Sequence, residues 1–234
     1  MQALILAGGF GSRLMPLVND RPKVMAPVSG RPFLEILIRN LKKQGFDDIV
    51  LALGYLSKYI IDYFQDGNKL GIKIRYSIED MPLGTAGAIK NAQPLLESTF
   101  CTINGDTYLN INFKELFEFF RTHQARLVIT LTRFHHLQER GVVKVDKNMR
   151  AVSFSEISEN RSEDKSYTNT GVYLIDKNIL NWIKKDEKIS LEKEVFPLLL
   201  REKIPIYCYL SKKDYLDIGT PERYLKAQKI LKIS

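Results

Sequence analysis

The chain has 234 residues, 44% of them hydrophobic, with 35 Lys and Arg against 27 Asp and Glu for a formal net charge of +8. That apolar content supports a full core and excludes a disordered protein; the basic residues are interspersed with acids, which favours small anionic ligands over a nucleic-acid partner. No apolar run approaches the length of a membrane span, and Cys101 and Cys208 stand far apart in apolar stretches as buried thiols do, so a cytoplasmic protein with no membrane partner is expected.

The first apolar run, Ala3 to Ala7, reads as a buried parallel strand that empties into Gly8, Gly9 and Gly11. Without Cβ atoms, the N–H groups of such a turn can approach an anion closely, and Arg13 and Lys23 add fixed positive charge to the same stretch. Gly11 leads into Ser12-Arg13, not the Lys-Ser/Thr of a Walker loop, and Leu14 stands where a dinucleotide fingerprint needs its third glycine. A plain strand-to-helix turn would carry the same glycines; the two cations favour a loop that handles triphosphate or pyrophosphate.

Leu34, Leu37, Ile38 and Leu41 recur at helical spacing, so a helix is predicted over 32–44, opening on Pro32 and closing before Gly45. A strand at 49–53, a helix at 56–64, a strand at 72–77, a helix at 85–96 and a strand at 99–103 follow. The alternation predicts an α/β, single-domain, Rossmann-like fold: a mixed, mostly parallel sheet with helices on both faces and ligands beyond the strand carboxyl ends. After a helix at 114–123, β-rich runs at 127–132, 141–145 and 151–155 predict a small antiparallel insertion covering part of the sheet. The polar stretch 156–168 reads as a surface loop or lid. His135 and His136 lack metal-ligand spacing.

Leu6-Ala7-Gly8-Gly9-Phe10-Gly11-Ser12-Arg13-Leu14, with Pro22-Lys23 behind it, resembles the N-terminal signature of the sugar-1-phosphate nucleotidyltransferases. Glu79-Asp80-Met81-Pro82-Leu83-Gly84-Thr85-Ala86-Gly87, Asn104-Gly105-Asp106-Thr107 and Asp217-Ile218-Gly219-Thr220-Pro221 resemble three later segments of that family, in order, across almost the whole chain. The resemblance implies one domain, with a nucleotide-binding half over about 1–110 and a sugar-binding half over about 111–234. It also implies transfer of a nucleotidyl group from a nucleoside triphosphate to a sugar 1-phosphate, with release of pyrophosphate.

The same resemblance assigns roles. Asp106 and Asp217 are expected to share a catalytic Mg²⁺, Arg13 to polarise the α-phosphate, and Lys23 to hold the phosphates in register. Either aspartate alone would also suit a turn or a cap; the pair points to metal. Leu6, Gly8, Gly9, Gly11, Ser12 and Asp106 are expected around the nucleotide, with Pro82, Gly84 and Thr85 against base and ribose. Glu79 matches the position facing the base edge, where a carboxylate can accept both adjacent donors of guanine. That favours GTP, although relatives using UTP also carry the acid and a solvated loop acid is the competing reading.

Asn104, Gly141, Glu156, Asn169 and Gly171 match sugar-contacting positions, although the stretch around Asn169 also reads as a strand with a glycine bulge. Ile157 follows Glu156 where the family has a lysine, so Lys165, another basic residue of the loop, or the metal with Lys23 must supply the missing charge. Within the family, 21–28, 30–34 and 82–87 most resemble the D-glycero-D-manno-heptose 1-phosphate guanylyltransferases, which serve bacterial surface polysaccharide synthesis. Mannose-1-phosphate guanylyltransferases and N-acetylmuramate-1-phosphate uridylyltransferases are the nearest alternatives. A silent nucleotide-sugar sensor on the same fold is expected to lose Arg13, Lys23 or one aspartate, and all four are present. A homo-oligomer is compatible with the sequence.

Overall fold

Ala3, Leu4 and Ile5 are wholly buried, the condition of a strand covered on both faces. They belong to β1 (Gln2–Leu6). A computed structural model of the chain describes residues 1–9, 20–133, 141–155, 166–213 and 215–231. After β1 come β2 (Pro27–Val28), β3 (Arg31–Pro32), α1 (Phe33–Lys43), β4 (Asp48–Leu53), α2 (Ser57–Phe64), β5 (Lys73–Ile78), α3 (Gly84–Asn91) and β6 (Thr99–Asn104). The rest are β7 (Thr107–Leu109), α4 (Phe113–Thr122), β8 (Leu127–Arg133), β9 (Val142–Val145), β10 (Ala151–Ser155), β11 (Ser166–Asp176), α5 (Phe196–Arg201), β12 (Tyr207–Leu210), β13 (Tyr215–Asp217) and α6 (Pro221–Ile230).

The main sheet runs β10-β9-β11-β6-β1-β4-β5, with β8 also paired to β11 and β12 paired to β8. The segment β6-β1-β4-β5 is parallel, and β11 joins β6 antiparallel. Side chains alternate between two cores: Ala3 and Ile5 pack with Leu34, Leu37 and Leu116 on one face, Leu4 with Ala86, Ile89 and Phe196 on the other. Helix α1 buries Phe33, Leu34, Leu37, Ile38 and Leu41, carries Glu35 in its first turn and Lys42 and Lys43 in its last, and ends before Gly45 at φ +89°.

Three expectations change. The helix expected to reach 96 stops at Asn91 and resumes as a single tight turn over Gln93–Leu95, because Pro94 has no N–H and crowds the preceding turn. The antiparallel strands do not cover the sheet: β9 pairs with β11 and β10 with β9, so they lengthen it edgewise. Ser166 to Thr168, read as loop, begin β11.

Two small additions bring the chain ends together. β2 and β3 form a hairpin whose turn residues, Ser29 and Gly30, have φ +49° and +83°, as a tight two-residue turn requires. Helix α6 packs Tyr224 and Ala227 against Ala26, Val28 and Phe33, and Gln228 Nε2 donates to Pro27 O at 2.8 Å. The segment before α6 is thereby held beside the N-terminal strands.

Candidate active site

β1 sits between β4 and β6, which the chain reaches in opposite directions, and a cavity of about 340 Å³ opens beyond the carboxyl ends of β1 and β6. Leu6, Gly8 and Gly9 line one wall; Asn104 and Asp106 line the next. Gly105 N donates to Leu6 O at 2.9 Å, and a Cβ there would lie 2.8 Å from the same oxygen, so only glycine lets the two strand ends meet so closely.

Glu79, Pro82, Gly84 and Thr85 complete this cavity. A Cβ on Gly8 would stand 2.7 Å from Glu79 Oε1, so the glycine leaves room for that carboxylate. Leu83 N donates to Glu79 Oε2 at 3.3 Å, and burial pushes the Glu79 carboxyl above its ordinary pKa. Lys23, in a tight turn over Lys23–Met25, lines the same cavity and ion-pairs with Asp106.

A second cavity of about 340 Å³ shares Asn104 and Asp106 with the first. It exists because β11 changes partner: Val172 onward pairs with β6, whereas Ser166 to Thr168 pair with β9. The turn between them bulges at Asn169 to Gly171, with Gly171 at φ +75° and Asn169 Oδ1 accepting from Gly171 N at 3.0 Å. The segment is thus a strand with a glycine bulge, and Gly141, Asn169 and Gly171 line the cavity it opens.

A chain of hydrogen bonds runs along that cavity's floor. Asn169 Nδ2 donates to the Tyr173 hydroxyl at 2.8 Å, and that hydroxyl donates to Glu192 Oε1 at 2.9 Å. Burial, with the Glu192 charge beside it, holds the Tyr173 phenol well above its ordinary pKa. Glu192 Oε2 accepts from Ser190 Oγ and Thr85 Oγ1, each at 3.0 Å. Since Thr85 also lines the first cavity, Glu192 ties the two walls together, from within a single π-helical turn over Leu191–Val195.

Asp217 ends β13, which pairs with β7 so that Asp217 lies opposite Thr107, while Ile218 N donates to Asp106 O at 3.1 Å. The two acids, far apart in sequence, thus stand on one small ribbon and line one cavity. Gly219 N donates to Asp217 Oδ1 at 2.7 Å, and Arg223 Nη1 lies 3.5 Å from that oxygen.

All the site residues read from the sequence that are described line one or both cavities; Gly11, Ser12, Arg13, Glu156 and Lys165 lie outside the described residues. Sequence reasoning missed Tyr173, Ser190, Glu192, Lys188 and Lys193, all in cavity walls, and Arg223. Arg223 could have been found, since it falls in the segment that begins at Asp217. Glu192 gave no signal, because a glutamate between Leu191 and Lys193 in a charged stretch reads as a solvated face.

Comparison with known proteins identifies the family. The sequence matches the family described as Nucleotidyl transferase over residues 2–233. It is 37% identical over 96% of its length to the D-glycero-alpha-D-manno-heptose 1-phosphate guanylyltransferase of Campylobacter jejuni, covering 97% of that protein. It is 34% identical to the mannose-1-phosphate guanylyltransferase of Mycobacterium tuberculosis, covering 97% of this chain and 63% of that protein. Crystallographic HddC from Yersinia pseudotuberculosis superposes with a TM-score of 0.85 at 34% identity, covering 99% of both chains. With its signature segments gathered around two adjoining cavities, the chain belongs to the nucleotidyl transferase family.

Proposed function

We propose that the chain is a sugar-1-phosphate guanylyltransferase that converts GTP and a manno-heptose 1-phosphate into a GDP-heptose and pyrophosphate. The cavity at β1 and β6 takes the nucleotide and the cavity at the β11 bulge takes the sugar phosphate. The observation that carries this reading is their common wall, Asn104 and Asp106, which is where two phosphates would have to meet. The relatives' guanylyl donors and heptose acceptor, together with Glu79 at the mouth of the glycine turn, support the choice of substrates.

In the reaction, a phosphate oxygen of the sugar 1-phosphate bonds to the α-phosphorus of GTP as the α–β bridging bond breaks and pyrophosphate leaves. The attacking oxygen is already ionised near neutral pH, so no general base is needed. Charge neutralisation is what the protein must supply. Lys23 brings one cation to the common wall and Arg223 another beside Asp217. Arg13 is assigned to the α-phosphate and leaving pyrophosphate, and Glu156 to the sugar.

The donor set fits Mg²⁺: two carboxylates, Asp106 and Asp217, line one cavity, and each already draws a cation. Magnesium characteristically takes one or two carboxylates and completes its shell with water and phosphate oxygens. Asp106 and Asp217 would hold it, and it would supply Lewis-acid neutralisation of the reacting phosphates. The enzyme would act in the cytoplasm and feed a bacterial surface polysaccharide.

Nucleoside triphosphates assayed in a matrix against sugar 1-phosphates with Mg²⁺ test the proposal. Pyrophosphate release is expected to be fastest for GTP with manno-heptose 1-phosphate. UTP with an amino-sugar phosphate as the best pair would overturn the substrates while sparing the reaction; no release from any pair would leave the sensor reading.

A further inference from the structure

Behind the sugar cavity lies a smaller one of about 230 Å³. The two share Gly141, Asn169, Glu192 and Lys193, and the smaller one adds Phe154, Ser155 and Pro197. Asp106 and Asp217 line the larger cavity alone, so the side cavity lies at the end away from the reacting phosphates. The junction is open at Gly141: a Cβ built there would meet nothing nearer than Asn169 Cβ, at 3.9 Å.

The described walls of the side cavity are of mixed character. Phe154 rests against Phe196 with ring centroids 5.1 Å apart, and Pro197 follows in α5, so one side is rigid and apolar. Ser155, Asn169, Glu192 and Lys193 supply the polar part of the lining. Such a lining suits a short carbon chain bearing hydroxyls: C–H groups on the ring and proline, hydroxyls toward the polar side.

We propose that this side cavity receives the carbon chain hanging from C5 of the sugar ring and selects sugar 1-phosphates whose chain is two carbons long over hexoses, whose chain is one. The inference rests on the reading of the larger cavity as the sugar-phosphate site. A hexose with its phosphate at Asp106 and Asp217 would leave the side cavity to water. A manno-heptose adds one hydroxymethyl group, and a two-carbon diol needs on the order of 60 Å³, about two water volumes, which the cavity exceeds. Ser155, at the end of β10 and paired with Val142 next to Gly141, lines the side cavity and not the larger one, which makes it the position at which to alter the side cavity alone.

The test compares D-glycero-D-manno-heptose 1-phosphate with mannose 1-phosphate in the full chain and in Ser155→Leu, with GTP and Mg²⁺. Ser155 is exposed at a strand end, so leucine can be carried without repacking the core. The wild-type ratio of kcat/KM, heptose over mannose, is expected to exceed one, and Ser155→Leu to lower it about tenfold or more, the scale on which filling a pocket discriminates by one carbon. A parallel loss for both sugars, or an unchanged ratio, would overturn the side cavity's role. Wild-type enzyme that takes mannose 1-phosphate and refuses the heptose would overturn it while leaving the guanylyl-transfer reading intact. Refusal of both would overturn the two together.

Discussion

Asp106→Asn and Asp217→Asn are each expected to lower kcat by about two to four decades, the range for removing a principal electrostatic stabiliser from a reaction that brings two anions together. Asparagine keeps the size and one acceptor oxygen of aspartate, so the 2.7 Å bond that Gly219 N donates to Asp217 Oδ1 can persist while the charge is lost. Asp217 is only 8% exposed and lies 3.5 Å from the Arg223 guanidinium, so its variant also leaves a cation without its counter-ion. That loss should cost about 1–3 kcal/mol of stability, detectable as a lower thermal midpoint. Asp106→Asn likewise deprives Lys23, whose side chain is only 14% exposed, of its counter-ion, so a lower thermal midpoint of similar size is expected beside its catalytic loss. Steady-state pyrophosphate release at saturating substrates, alongside thermal unfolding, separates the two effects. Turnover within tenfold of wild type in either variant would remove that acid from the reaction centre.

Glu79→Gln is expected to reduce kcat/KM for GTP by about 30- to 150-fold while changing that for UTP by less than about fivefold. The carboxylate offers guanine's ring N–H and exocyclic amine two charged acceptors; the amide offers one neutral acceptor and turns a donor toward the other. Losing one charge-assisted bond and weakening the second amounts to about 2–3 kcal/mol. A pH signature follows from the same group. Burial raises the Glu79 carboxyl's pKa, so protonation on the acid side removes the acceptors sooner than in an exposed glutamate. KM for GTP should therefore rise as pH falls through that raised value in the wild type and stay flatter in Glu79→Gln. Equal losses for GTP and UTP, or a pH profile shared by both proteins, would mean that Glu79 does not read the base.

How much of this was legible in the sequence depended on how local the cause was. β1 was readable because an apolar run ending in glycines has few other uses, and α1 because Pro32, the apolar spacing and Gly45 mark its start, face and end. Pro94 was as visible as those signals, and the helix breaks there because the proline has no N–H to donate and crowds the preceding turn. The pairing of Lys23 with Asp106, 83 residues on, was beyond any local signal, though both residues were visible as candidates. The sugar cavity was less legible still. Its opening comes from β11 exchanging β6 for β9, a tertiary event, and its Glu192 takes hydroxyl partners from Thr85, Tyr173 and Ser190 in separate parts of the chain.

The central claim is that two phosphates meet across Asn104 and Asp106 and that the α-phosphorus of GTP moves to the sugar phosphate. It is tested most directly by following label from GTP carrying radioactive phosphorus at either the α or the γ position, with manno-heptose 1-phosphate and Mg²⁺. The account predicts α label in the nucleotide sugar and γ label in pyrophosphate. γ label in free orthophosphate or on the sugar, with none of the α label joined to it, would contradict it.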